Sequence, residues 1–119
     1  MRFSGKIISG QGVGRKLGFP TLNFELPKNL EIESGVFAAR FFLGEKVWPA
    51  ILFFGNRETF DDKKTLEIHI LKKFKENPTQ AEFEILDKIR DVAKFENPEK
   101  LRQQIAKDCK VAREILGLS

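Results

Sequence analysis

GVFAARFFLGEKVWPAILFF, residues 35–54, is the stretch on which the architecture turns. Residues 35–43 are apolar and aromatic apart from Arg40 and read as a strand. Gly44-Glu45 closes that run, and residues 46–54 read as a second strand, so the two form a hairpin. Pro49 sits inside the second strand and has no N–H to give to a ladder. It predicts an edge strand or a bulge there. Outward from the hairpin the same pattern recurs. TLEIHIL, residues 65–71, sends Leu66, Ile68 and Ile70 to one face and Glu67 and His69 to the other. Ala81, Phe83 and Ile85 alternate with Glu82 and Glu84, and residues 6–9 end a first strand. Several antiparallel strands separated by turn residues predict a small barrel or sandwich.

The last segment changes period. Asn97, Pro98 and Glu99 read as an N-cap, a first-turn proline and an acid placed against the helix dipole. Leu101, Ile105, Cys109, Ala112 and Leu116 then recur at helical spacing, with Gly117 able to end the helix. This predicts one amphipathic helix of about five turns, packed on the barrel through that stripe.

The chain is 119 residues long, and a single domain spanning 1–119 is expected. With 41% hydrophobic and 32% charged residues it is neither disordered nor fibrous. Twenty-one basic against 17 acidic residues leave a net charge of +4, which suits anionic partners such as nucleotides or nucleic acid. One cysteine, Cys109, and one histidine, His69, exclude an internal disulfide and argue against a zinc site. MRFSGKIISG has no apolar signal-peptide core, and VWPAILFF is too short to span a bilayer, so no membrane partner and a cytoplasmic location are expected.

Chemistry concentrates in GVGRKLGFPTLNF, residues 12–24. Gly12, Gly14 and Gly18 let the backbone approach a bulky anion, and Arg15 and Lys16 add charge. The run is not a Walker A loop, since no Gly-Lys-Ser or Gly-Lys-Thr follows. Pro20 fixes the chain. Thr21 and Asn23 are two apart, so in an extended segment they face the same way. A hydroxyl and an amide oxygen suit Mg²⁺ that completes its shell with phosphate and water. An ordinary turn or surface pair fits the same residues, and Glu67 taken alone reads as a solvated strand residue.

Three stretches together resemble the riboflavin kinases, which make FMN from riboflavin and ATP. GVGRKLGFPTLNF is similar to their glycine-arginine loop and LGFPT-x-N signature. TLEIHIL is similar to their Glu-x-His-hydrophobic strand. RDVAKFENPEKLRQQIAKD, residues 90–108, resembles their Arg, Lys-Phe and Leu-x-x-x-Ile-x-x-Asp ending. The matched stretches reach from about residue 5 to residue 116. The resemblance implies a mainly β fold, a six-stranded antiparallel Greek-key barrel with a C-terminal α-helix. It implies that Gly12, Gly14, Arg15, Lys16, Gly18, Pro20, Thr21 and Asn23 bind ATP, with Thr21 and Asn23 at Mg²⁺. It makes Glu67 the catalytic base and puts Arg90 and Phe95 near the isoalloxazine ring, although Phe95 fits plain core packing equally well. For His69 a structural hydrogen bond is expected. The implied partners are riboflavin and ATP with their products FMN and ADP, and the expected form is a monomer that binds no nucleic acid.

Two stretches depart from the family pattern. KKFKENPTQAEF, residues 72–83, lacks the usual Tyr-Gly pair, and GNRETF, residues 55–60, has Glu58 where proline is usual, while Gly55, Thr59 and Phe60 match. Both bear on nucleotide contacts rather than on the reacting groups. At this length the chain has no room for the adenylyltransferase domain that many bacterial members carry, and Met1 slightly favours a free-standing kinase over an excised domain. Two rival readings are a basic β-barrel binding single-stranded nucleic acid, with Phe41 and Phe42 among its stacking platforms, and a degenerate family member that senses flavin.

Overall fold

The hairpin forms as its sequence suggests. In the computed structural model, which describes residues 2–8, 17–56 and 64–118, β3 (Gly35–Leu43) pairs with β4 (Lys46–Gly55) from Gly35↔Phe54 to Leu43↔Lys46. Gly44 opens the two-residue connection at φ +58°, a conformation costly for any residue with a Cβ. β5 (Thr65–Ile70) adds to β4, and β6 (Gln80–Arg90) returns to the far side of β3. β1 (Arg2–Ile8) and β2 (Leu22–Phe24) close the ring, in the order β1-β2-β5-β4-β3-β6. Strands β3, β4 and β5 form a meander and β6 lies beside β3, which is the Greek-key order. Every pairing is antiparallel.

Pro49 corrects one expectation. It lies in neither an edge strand nor a bulge: β4 has a neighbour on both sides, and Pro49 pairs in register with Arg40. Its carbonyl faces the β5 side, where it accepts from the Leu71 amide at 2.9 Å. A residue's N and C=O point the same way in a strand, so the missing donor also faces that side. There β5 has already ended at Ile70, and the Leu71 carbonyl that would have met this donor accepts from Arg113 instead.

Strand alternation divides the apolar residues into two clusters. Phe3, Phe24, Phe37, Phe41, Leu52, Leu66, Ile68 and Phe83 fill the barrel. Val36, Ala38, Ile51 and Leu71 face outward and are covered by Cys109 and Ala112 of α1 (Pro98–Ile115), with Ile105 and Leu116 packed alongside. Phe41 is fully buried and Phe42 half-buried beneath the Arg2 guanidinium, so neither is the exposed platform that a nucleic-acid reading needs. Asn97 caps α1 by accepting from the Lys100 amide at 2.9 Å, with Pro98 in the first turn. Gly117 follows the helix at φ +73°. Burial pushes the Cys109 thiol up to about 11, with the Asp108 charge adding to the shift, so this thiol stays protonated and inert near neutral pH.

The β3–β6 ladder slips register twice, between Val36 and Phe37 and between Phe37 and Ala39. These irregularities bring Arg90 opposite Val36, on the outward face beside α1. Close packing continues there, since a Cβ on Gly35 would stand 3.0 Å from the Arg90 carbonyl. Phe83 stacks on Phe3 and meets Phe24 edge-on within the barrel. Phe83→Ala should therefore cost about 3–5 kcal/mol in chemical denaturation; a loss below about 1 kcal/mol would mean that the interior is not packed around this ring.

A candidate active site on the outer wall of the barrel

The site grows from β5. Leu66 and Ile68 point into the barrel, so Glu67 and His69 must point out. β2 pairs with β5 through Asn23↔Glu67, which brings Asn23 to the same outer face. Thr21 precedes β2 and donates its hydroxyl to Glu67 Oε1 at 3.1 Å. On the other side, Thr65 donates to Glu67 Oε2 at 3.2 Å and lies 3.4 Å from the Gly55 carbonyl. The carboxylate is thus held by a threonine on each oxygen and is only 6% exposed. It is not the solvated strand residue that its sequence neighbours alone suggested.

His69 Nδ1 lies 2.7 Å from the Pro20 carbonyl. A carbonyl only accepts, so Nδ1 carries the proton. Burial lowers the pKa of the ring below the ordinary value; the Pro20 bond opposes this and the Arg113 charge adds to it. The imidazole is therefore neutral near pH 7, and Phe19 meets it edge-on at 5.6 Å. The expected structural hydrogen bond is present.

A cavity of about 350 Å³ opens between this wall and the start of α1. Thr21, Glu67 and His69 line one side, and Phe19, Phe53, Val92, Phe95, Leu101 and Ile105 supply apolar surface. Leu101, expected to pack in the core, faces this cavity with Phe95. Arg90 also lines it, and each of its three nitrogens already has a partner. Nε lies 2.9 Å from both oxygens of Asp108, Nη2 lies 2.8 Å from Oδ2, and Nη1 donates to the Asp91 carbonyl. Besides its remaining N–H groups, Arg90 can offer a ligand its flat guanidinium face, already 5.6 Å from the Phe95 ring. Asp108 is 2% exposed and also accepts from Gln104 at 2.9 Å.

The sequence-derived site residues fall into four sets. Thr21, Asn23 and Glu67 share one outer face, and Arg90 and Phe95 line the adjoining cavity. Gly18, at φ +88°, and Pro20 are exposed just before them. Gly12, Gly14, Arg15 and Lys16 lie outside the described residues, as do Glu58, Thr59 and Phe60. The divergent connection after β5 is anchored by Phe74, whose ring packs against Trp48 and Phe41 at 5.1 and 5.5 Å. Two residues of consequence went unassigned. Thr65 lies two before Glu67 on the same strand face, and that spacing was a usable signal. Asp108 is an acid directly before Cys109 on the buried side of the helix, a position that calls for a cation.

Among the described residues no cluster of three or more His, Cys, Asp or Glu could hold a metal. Mg²⁺ does not need one, because it binds through one or two protein oxygens together with substrate phosphates and water. The Thr21 proton is directed at Glu67, which leaves the hydroxyl's lone pairs for a hard cation. Together with the Asn23 amide oxygen, that donor set fits Mg²⁺.

A family model described as riboflavin kinase (flavokinase) matches residues 1–116. The bifunctional riboflavin kinase/FMN adenylyltransferase of Escherichia coli K12 is 34% identical over 98% of this chain, which spans 38% of that protein's length. The Buchnera aphidicola protein of the same description is 33% identical, and again 38% of it is spanned. A riboflavin kinase of Aspergillus niger is 34% identical over 98% of this chain and 70% of its own length. A crystal structure of a macrolide-efflux protein from Streptococcus pneumoniae superposes with a TM-score of 0.82 at 26% identity, over 94% of this chain and 38% of that one.

Removing one member of a buried ion pair strands the other charge. Asp108→Ala should lower stability by about 3–5 kcal/mol in chemical denaturation. The paired change Arg90→Met with Asp108→Leu should recover most of that loss. Equal losses in both proteins would show that the pair's charge balance is not what matters.

Proposed function

The chain belongs to the riboflavin kinase family, and on that footing we propose that it phosphorylates the ribityl 5′-hydroxyl of riboflavin with Mg-ATP, giving FMN and ADP. The observation that carries this reading is the Glu67 carboxylate, fixed by Thr21 and Thr65 in the wall of a largely apolar cavity. A ring as flat and apolar as isoalloxazine needs such walls with few polar groups. Phe19, Phe53, Phe95 and Leu101 provide them, and the Arg90 face adds a planar cation.

A carboxylate offers about four acceptor sites, and Glu67, held by the two threonines, accepts the substrate hydroxyl in this reading. As the bond from the 5′-oxygen to the γ-phosphorus forms, the bond to the ADP oxygen breaks and the hydroxyl proton passes to Glu67. Glu67 thus orients the nucleophile and takes its proton. Thr21 and Asn23 would hold Mg²⁺, which when bound neutralises charge on the transferring phosphates. Gly12, Gly14, Arg15, Lys16, Gly18 and Pro20 are assigned to the nucleotide phosphates on their sequence pattern. No helix among the described residues is long and apolar enough to cross a membrane. The expected form is a cytoplasmic monomer that needs neither nucleic acid nor a partner chain.

Incubating the protein with riboflavin and Mg-ATP and separating the products by chromatography should give FMN; riboflavin left unchanged would refute the reading. Glu67→Gln should keep riboflavin affinity while turnover falls by about a hundredfold or more, and wild-type turnover would remove Glu67 from its role. Thr21→Ala should raise KM for Mg-ATP and the Mg²⁺ concentration needed for half-maximal rate. An unchanged dependence on both would exclude Thr21 as a ligand.

A further inference from the structure

We propose that His69 is a positioning residue for the nucleotide side of the site, holding the Pro20–Thr21 peptide so that the Thr21 hydroxyl meets both Glu67 and the metal. This inference rests on the kinase reading above. The β2–β5 ladder runs from Phe24↔Leu66 to Leu22↔Ile68 and stops. The next pair in register would be Thr21 and His69, and no strand pairing holds Thr21. In its place the His69 side chain reaches the Pro20 carbonyl at 2.7 Å. That oxygen belongs to the same rigid peptide plane as the Thr21 nitrogen and Cα. Fixing it removes a rotation that would swing the Thr21 side chain.

Strand β5 therefore holds Thr21 at two points on one face. His69 fixes the peptide plane and Glu67 accepts the hydroxyl at 3.1 Å. Pro20 has no N–H, so its carbonyl is the only backbone polar group that residue offers as a handle. The imidazole is itself held in place, with Phe19 edge-on at 5.6 Å. Close by, Arg113 ties α1 to the end of β5 through the Leu71 carbonyl.

The test has two arms. His69 is the only histidine, so a long-range ¹H–¹⁵N correlation spectrum of the wild-type protein at pH 7.5 reads one ring. The expected signal is the neutral Nδ1–H tautomer, and an Nε2–H tautomer would overturn the proposal whatever the variants do. In the second arm, calorimetry follows Mg-ADP binding. His69→Phe keeps ring volume and the contact with Phe19 but loses the donor, and it should weaken Mg-ADP about tenfold, the size of one hydrogen bond. His69→Asn places an amide N–H near the Nδ1 position and should restore most of the affinity. In a Thr21→Ala background His69→Phe should add little, because both act through one group. Wild-type affinity in His69→Phe, or equal and additive losses in all backgrounds, would overturn the proposal while leaving FMN formation by the wild type intact. If His69→Phe does not fold, His69→Asn decides: a tenfold loss there contradicts the proposal. Failure of the wild type itself to make FMN would instead refute the kinase reading.

Discussion

A carboxylate sheltered on the outside of a barrel is the constraint around which the rest is arranged. Glu67 is flanked along β5 by Leu66 and Ile68, which fill the interior, so its own side chain has no route inward. An exposed outer face would leave it hydrated and free to rotate. The wall is instead roofed by α1 and by the segment leading into it, and the carboxylate is gripped by Thr21 from one flank and Thr65 from the other. The same two-residue period that builds the core therefore places this carboxylate, with little further sequence needed to aim it.

The roof has its own anchor. Arg90 ends β6 and Asp108 lies on α1, and their ion pair joins barrel to helix at the cavity's edge. Burying such a pair carries a desolvation cost that apolar packing does not. At this place it also presents a flat cation toward the cavity, with a partner on each of its nitrogens. Stability and site geometry are thus written in the same contact, and His69 plays a similar double part between the Pro20 carbonyl and the aromatic wall.

Much of this could be read from local sequence. Periodicity located the hairpin, the β5 alternation and the capped helix, since each depends on neighbours within a few residues. Thr21, Asn23 and Glu67 were named together only through the resemblance of GVGRKLGFPTLNF and TLEIHIL to the riboflavin kinases. What escaped was set by distant contacts. Pro49 looked like an edge signal because nothing local says where β5 ends. Phe41 looked available for stacking because a closed barrel buries residues that an open sheet would expose. Asp108 became meaningful only once the register slips in β6 had brought Arg90 opposite Val36. Thr65 was visible two residues from Glu67, but only the fold shows that its hydroxyl turns onto the carboxylate.

The most direct examination of this arrangement is a crystal structure with riboflavin, Mg²⁺ and ADP bound together. The isoalloxazine ring should lie against Phe95 and the Arg90 guanidinium face, with the ribityl 5′-oxygen within hydrogen-bond reach of Glu67 and the metal on Thr21 and Asn23. A flavin seated elsewhere, or a 5′-oxygen far from Glu67 while both threonines still hold its carboxylate, would contradict it.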